Sequence, residues 1–217
     1  MAGNAGRWGW HQLDKRWAAR LVESADVRPG DLVVDVGAGA GVITTQLVRA
    51  GASVVAVELH PRRVSLLRAH FADLPVTIVR ADAMDLRLPR RQFKVVANPP
   101  FGVTTALLRR LTSPSSRLER ASLVLPAWAA RRWAAGRGVG GMTSKRMFSC
   151  TLGPSVPAAA FRPVPPADAR ILFIARTRRT ASRGVSRLSA RSIPLRTPDA
   201  DIHAGRVMHD RLSLGRR

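Results

Sequence analysis

Asn98-Pro99-Pro100-Phe101 places a side-chain amide, two prolines and an aromatic ring side by side. The prolines hold the backbone extended and remove two N–H donors. The Asn98 oxygen and the Pro99 carbonyl are thereby left as acceptors beside a ring that can stack. Alone, such a tetrapeptide is a turn as readily as a site. Sixty residues upstream, Val33-Val34-Asp35-Val36 runs into Gly37-Ala38-Gly39-Ala40-Gly41. Glycines there let the chain turn tightly and approach a ligand with no Cβ in the way. The third glycine comes one residue too early for the dinucleotide fingerprint, and the loop has no phosphate-binding lysine of the Walker type. Two acids complete the set, Glu58 and Asp82. A carboxylate accepts from two donors at once, as a pair of ribose hydroxyls would require.

These residues need a frame, and the hydrophobic pattern provides one. From residue 31 to about 110, short apolar runs alternate with amphipathic stretches, the pattern of a parallel sheet wrapped by helices. Strands are predicted at 32–36, 53–58, 76–80, 93–97 and 121–125, and helices at 15–24, 42–50, 61–71, 104–112 and 127–135. Two late strands, 146–152 and 170–176, are joined through the proline-rich stretch 154–166. In this frame Asp35, Glu58 and Asp82 fall at the C-terminal ends of three successive strands and Asn98 at the end of a fourth, where open α/β sheets bind ligands. Asp35 is expected to steer backbone amides or a ligand's charged end rather than to catalyse. The glycine-rich segment 136–141 reads as a mobile loop. Residues 177–217 carry ten arginines against three aspartates with little apolar periodicity, and read as a basic, largely disordered tail after a catalytic domain at 1–176.

Composition narrows the classes. The 217 residues carry 36 Lys+Arg against 14 Asp+Glu, a formal charge of +22, of which +15 remains on residues 1–176. Such a field attracts polyanions and points to nucleic acid as partner. Only Lys15, Lys94 and Lys145 are lysines, so an arginine-rich background explains the choice of cation but not the excess over acids. A single cysteine, Cys150, excludes an internal disulfide framework and a cysteine-based zinc site, and no metal is expected. No apolar run approaches membrane-spanning length, and residues 1–10 have no secretory apolar core, so a cytoplasmic protein is expected. With no long apolar surface stripe in the pattern, a monomer is expected.

The spacing G-x-G-x-G at Gly37, Gly39 and Gly41 resembles motif I of class I methyltransferases, which bind S-adenosyl-L-methionine. Asn98 to Phe101 resembles the [DNS]-P-P-[YFW] box of enzymes that methylate planar amino nitrogens. Over roughly residues 8–176 the chain is similar to the Erm-type 23S rRNA adenine N6-methyltransferases, the macrolide–lincosamide–streptogramin resistance family. Glu58, Ala81-Asp82-Ala83, Val95-Val96-Ala97 before the Asn98 box, Thr104-Thr105-Ala106-Leu107-Leu108 after it, and Phe161-Arg162-Pro163-Val164-Pro165-Pro166-Ala167-Asp168 carry that likeness.

The resemblance implies a Rossmann-like α/β fold with a mostly parallel seven-stranded sheet and helices on both faces. It implies S-adenosylmethionine held by Gly37, Gly39, Glu58 at the ribose, Asp82 at the adenine amino group, and Asn98. It implies catalysis by Asn98, Pro99 and Phe101 on an adenine amino group of ribosomal RNA, 23S first. An exocyclic amine is a poor nucleophile, its lone pair being shared with the ring. Two acceptors, from Asn98 and Pro99, favour a pyramidal nitrogen aimed at the methyl group, and no strong base is needed.

The chain departs from the family in two places. Trp10-His11-Gln12-Leu13 stands where the family has Q-N-F-[LI], so His11 and Leu13 are the residues expected at the cofactor. The family's helical C-terminal domain has no counterpart in the pattern of 177–217. Three alternatives stay open: a small-subunit rRNA or DNA adenine methyltransferase, a protein glutamine methyltransferase, and a non-catalytic RNA-binding ribosome-assembly protein.

Overall fold

The computed structural model describes residues 11–138 and 146–177. The tail beyond Thr177, and residues 139–141 of the glycine-rich segment expected to be mobile, lie outside the described residues.

The chain runs β1 (Gln12–Leu13), α1 (Lys15–Glu23), β2 (Leu32–Val36), α2 (Val42–Arg49), β3 (Ser53–Glu58), α3 (Pro61–His70), β4 (Val76–Arg80), β5 (Phe93–Ala97), α4 (Thr104–Leu111), β6 (Leu118–Pro126), α5 (Ala127–Ala134), β7 (Phe148–Val156), β8 (Phe161–Arg162) and β9 (Ala169–Arg176). Seven strands form one sheet in the order β4-β3-β2-β5-β6-β9-β7. Strands β4 through β6 are parallel, and β9 runs antiparallel between β6 and β7. The order reverses at β2, which sends the chain outward to β3 on one side and has β5 on the other. The C-terminal ends of β2 and β5 therefore flank a topological switch point, the crevice where such sheets take ligands.

The local causes are legible. Parallel strands covered on both faces read as continuous apolar runs, and all five residues of β5 are buried. One of them is Lys94, whose ammonium donates to the Asp31 carboxylate at 2.7 Å and to the Asp26 carbonyl, so the buried charge is matched. Burial alone would raise the Asp31 carboxyl, but the bonds from Lys94 and from the Arg28 amide, with their charges, outweigh it and hold it below its ordinary value. The Asp14 side chain caps α1 by accepting from the Trp17 amide at 2.7 Å. Pro61 opens α3, where a missing N–H costs nothing.

Alternating side chains divide the core. Val33, Val54, Val96 and Val124 pack under α1 and α2 with Leu21, Ile43 and Leu47. Val34, Val36, Val95, Leu123 and Leu125 pack under α4 and α5 with Leu107, Leu108, Leu111 and Trp133. Helices thus cover both faces, as expected.

Strand β6 is longer than the predicted 121–125: it starts at the buried Leu118, passes the half-buried Glu119 and exposed Arg120, and ends at the buried Pro126. Strand β7 lies at Phe148–Val156 rather than 146–152. Its pairing with β9 is irregular between Leu152 and Ser155, a shift that lets the strand run past Pro154. Part of the proline-rich connection also forms structure. Phe161 and Arg162 pair with Leu13 and Gln12 in a two-stranded antiparallel ribbon, too short to leave a periodic signal.

Candidate active site

Three glycines shape the loop after β2. Gly37, Gly39 and Gly41 take φ of 76°, 59° and 81°, a region that disfavours any side chain. A Cβ on Gly37 would lie 2.9 Å from Pro100 Cδ, so this glycine lets the loop close against the Asn98 segment. A Cβ on Gly41 would lie 2.7 Å from the Phe71 ring, so this one serves helix packing. The Gly37 and Ala38 amides donate to the Val57 carbonyl, tying the loop to the end of β3.

Glu58, 6% exposed, accepts from the Gly39 amide at 2.9 Å through Oε2, and from the Leu59 and His60 amides at 3.0 and 2.9 Å through Oε1. A carboxylate has about four acceptor positions, so Glu58 can hold the loop and still accept a further donor. Asp82 accepts from the Met84 amide at 2.8 Å through Oδ1, which leaves its second oxygen for a ligand. Both acids sit at strand ends, where their spacing placed them.

Asp35 points the other way. It is 1% exposed, and its Oδ2 accepts from the Thr44 hydroxyl at 2.7 Å beneath α2. Burial pushes its carboxyl up to about 7; the Thr44 bonds oppose the rise and the charge of Glu58 adds to it. Its Oδ1 is buried with no hydrogen-bond partner.

The other half of the site is assembled from distant parts of the chain. Asn98 Nδ2 donates to the His11 carbonyl at 2.6 Å. A carbonyl only accepts, so this contact fixes which end of the amide faces it. The Asn98 Oδ1 is then left buried without a partner, an unmet acceptor of the kind folded proteins keep for a ligand or for catalysis. The His11 Nδ1 donates to the Pro163 carbonyl at 3.0 Å, and its ring lies 5.7 Å from that of Phe101, tilted by 45°. The ribbon of β1 and β8 brings these residues together, and the periodicity of the sequence held no sign of it.

Leu13 is 3% exposed and belongs to the core under α1 and α2, with one edge on the cleft. Pro99 is buried, and Phe101 opens a single 3-10 turn that leads into α4. Gln12, Leu13, the Gly37–Gly39 loop and Asn98 enclose a space of about 20 Å³, enough for one water-sized group. The two acids suited to a nucleoside lie outside it, along the strand ends. S-adenosylmethionine suits this arrangement: an unmet polar atom at the tight end, loop amides beside it and carboxylates at the nucleoside end. Among the described residues no cluster of histidine, cysteine and acids could hold a metal ion, and no helix is long and apolar enough to cross a membrane.

Known proteins resemble the chain in sequence and in fold. The mycinamicin-resistance protein MyrB of Micromonospora griseorubida is 38% identical over 169 residues, which are 76% of this chain and 53% of that protein. Ribosomal RNA small subunit methyltransferase A of Geobacter sulfurreducens is 32% identical over 173 residues, 74% of this chain and 63% of that protein. The chain thus spans between about half and two thirds of the length of these relatives. Among solved structures, the 23S rRNA methyltransferase ErmE matches with a TM-score of 0.68 at 27% identity, covering 76% of this chain and 68% of that one. A dimethyladenosine transferase from Plasmodium falciparum shares the fold, with a TM-score of 0.67 at 20% identity over 77% of this chain and 64% of that one. The fold is that of class I S-adenosylmethionine-dependent methyltransferases. The profile of the ribosomal RNA adenine dimethylase family matches residues 11–185, and the chain belongs to that family.

Proposed function

We propose that the protein transfers a methyl group from S-adenosylmethionine to the exocyclic N6 of an adenine in 23S rRNA, and that this modification confers macrolide-type resistance. The observation that carries the reading is the Asn98 Oδ1: buried, unpartnered, oriented by the His11 carbonyl, and at the switch point beside the glycine loop. ErmE is named as a 23S rRNA methyltransferase, which supports the target, and MyrB as a mycinamicin-resistance protein, which supports resistance.

When bound, the cofactor would supply an electrophilic methyl group on a sulfonium, with a neutral thioether as the leaving group. The protein has to deliver an amine in the right geometry. Asn98 Oδ1 and the Pro99 carbonyl each accept one hydrogen of the adenine amino group, which turns its lone pair out of the ring plane. Phe101 stacks on the base once it has left its own stack. The His11 ring lies beside that of Phe101, and the His11 carbonyl keeps the Asn98 amide from rotating. Glu58 and Asp82 would hold the nucleoside end of the cofactor. As the nitrogen forms its bond to carbon it becomes positive and acidic, and water can take its proton. Alignment rather than base strength is therefore the main contribution of these residues.

A second reading, adenine methylation in small-subunit rRNA, is supported by the similarity to small subunit methyltransferase A. A labelled-methyl transfer assay on protein-free 23S rRNA, 16S rRNA and duplex DNA separates the two. Incorporation into 23S adenine is expected. Incorporation into 16S rRNA alone would move the target, and none into any RNA would overturn the enzyme reading.

A further inference from the structure

A second cavity lies away from the cofactor cleft. A groove of about 990 Å³ runs between the β4–β5 connection, the outer face of α4 and the turn before β6. Its walls carry Arg87, Arg90, Arg109 and Arg117, all exposed. None of the four forms an ion pair with a carboxylate among the described residues. A fifth arginine, Arg110, is occupied: its guanidinium donates to the Leu86 and Met84 carbonyls at 3.0 and 2.8 Å and lies 3.8 Å from Asp85. Arg110 therefore fixes one wall to the other and leaves the remaining four cations facing the groove without a counter-charge.

Four uncompensated guanidiniums along one open groove repel each other unless an anion lies between them. The cations are spread over both walls, so a chain of phosphates matches them better than a single phosphate. Arginine forks bind phosphate bidentately, and the Ser113 and Ser115 hydroxyls on the same rim are further donors of the sort that contact nucleic-acid backbones. Position links the groove to the chemistry. One wall begins at Met84, whose amide is held by Asp82. The other wall is α4, which follows the Phe101 turn directly and places Arg109 roughly 12 Å along the same rigid element.

We propose that this groove binds the sugar–phosphate backbone of the substrate RNA next to the nucleotide to be methylated, and so sets which base reaches Phe101. The proposal rests on RNA being the substrate. It assigns to α4 a second task, that of a spacer between the backbone grip and the base pocket.

The test compares two triple variants of the full chain: Arg87→Ala with Arg90→Ala and Arg117→Ala in the groove, and Arg16→Ala with Arg49→Ala and Arg68→Ala on helices of the opposite face. Binding of a 23S rRNA fragment is measured from low to moderate salt, with cofactor affinity and methyl transfer on the same samples. The groove triple is expected to flatten the plot of log affinity against log salt by about 2, given a slope near 0.7 per phosphate on a single strand. Its cofactor affinity should be unchanged, and the opposite-face triple should keep the wild-type slope. A wild-type slope in the groove triple, or an equal loss in the opposite-face triple, overturns the groove and leaves the enzyme reading intact. If the groove triple misfolds, Arg90→Glu alone, at an exposed position, distinguishes the same two outcomes. Failure of the wild-type chain to methylate any RNA would instead overturn the enzyme reading, while a salt slope confined to the groove would still stand as RNA binding.

Discussion

The two halves of the site are built in different ways. On the β2–β4 side the hydrogen bonds are mostly short in sequence: Glu58 accepts from residues one and two positions on, and Asp82 from a residue two positions on. The bonds that tie the glycine loop to the end of β3, from the Gly37 and Ala38 amides to Val57 and from the Gly39 amide to Glu58 (19 residues apart), span further but still join neighbouring strands. On the β5 side the contacts are remote: Asn98 bonds a residue 87 positions away, and His11 one 152 positions away. The cofactor half is held by turns that form wherever their strands end. The substrate half exists only when the first and last described segments meet across the sheet. A local substitution should therefore damage cofactor binding in a contained way, whereas the substrate half should be sensitive to anything that loosens the ribbon.

That contrast can be broken most directly at Asn98. Asn98→Ala removes the oriented acceptor and is expected to lower single-turnover methyl transfer by about 100-fold or more, since small misplacements of a reacting group have such costs. RNA affinity should change far less, and equal losses in both would show that Asn98 merely holds the RNA.

Glu58→Ala should weaken S-adenosylmethionine binding by about 1.5–3 kcal/mol, the range for hydrogen bonds to a charged group. Calorimetry on the folded variant checks it, and unchanged affinity would show that Glu58 only ties down the Gly39 loop. Phe101→Ala should cost about 1–3 kcal/mol of base stacking with cofactor affinity nearly intact, while Phe101→Tyr and Phe101→Trp keep most of the activity. Wild-type rates for Phe101→Ala would remove Phe101 from the site.

A separate effect, on stability rather than on the reaction, concerns Asp35. Its carboxyl titrates near 7 in the folded protein and near 3.8 when unfolded, so between those values the native state holds a proton that the unfolded chain has released. Stability should then fall as pH rises through this window, by about 1.4 kcal/mol per pH unit, and level off above it. Asp35→Asn, close in shape and never charged, should have a flatter curve in thermal melts across pH 5–7. A parallel curve would mean that Asp35 stays ionised in the fold.

Much of the architecture was legible because its signals are local. The strands at 32–36, 53–58, 76–80 and 93–97 agree with the structure residue for residue, since the strands of a covered parallel sheet read as short, mostly apolar runs bounded by turn residues. Glu58 and Asp82 were readable for the same reason, as strand ends identify themselves. Asp35 was the instructive case. One residue before the end of β2, the alternation of side chains carries it under α2, and its spacing resembled that of an exposed strand-end acid.

The sequence by itself determined the alternating α/β order, the C-terminal ends at which the polar residues gather, the basic charge, and the residue types of the methyl-transfer box. Only the tertiary structure decided that His11 orients Asn98, that two residues from a proline-rich stretch pair with two near the start of the chain, and that four arginines between positions 87 and 117 share one groove. Strand and helix propensities are written in neighbouring residues, and periodicity recovers them. Contacts across 87 or 152 positions leave no periodic trace. They arise because burying both faces of the sheet fixes where every connection must pass, and the substrate half of the site is assembled from those connections.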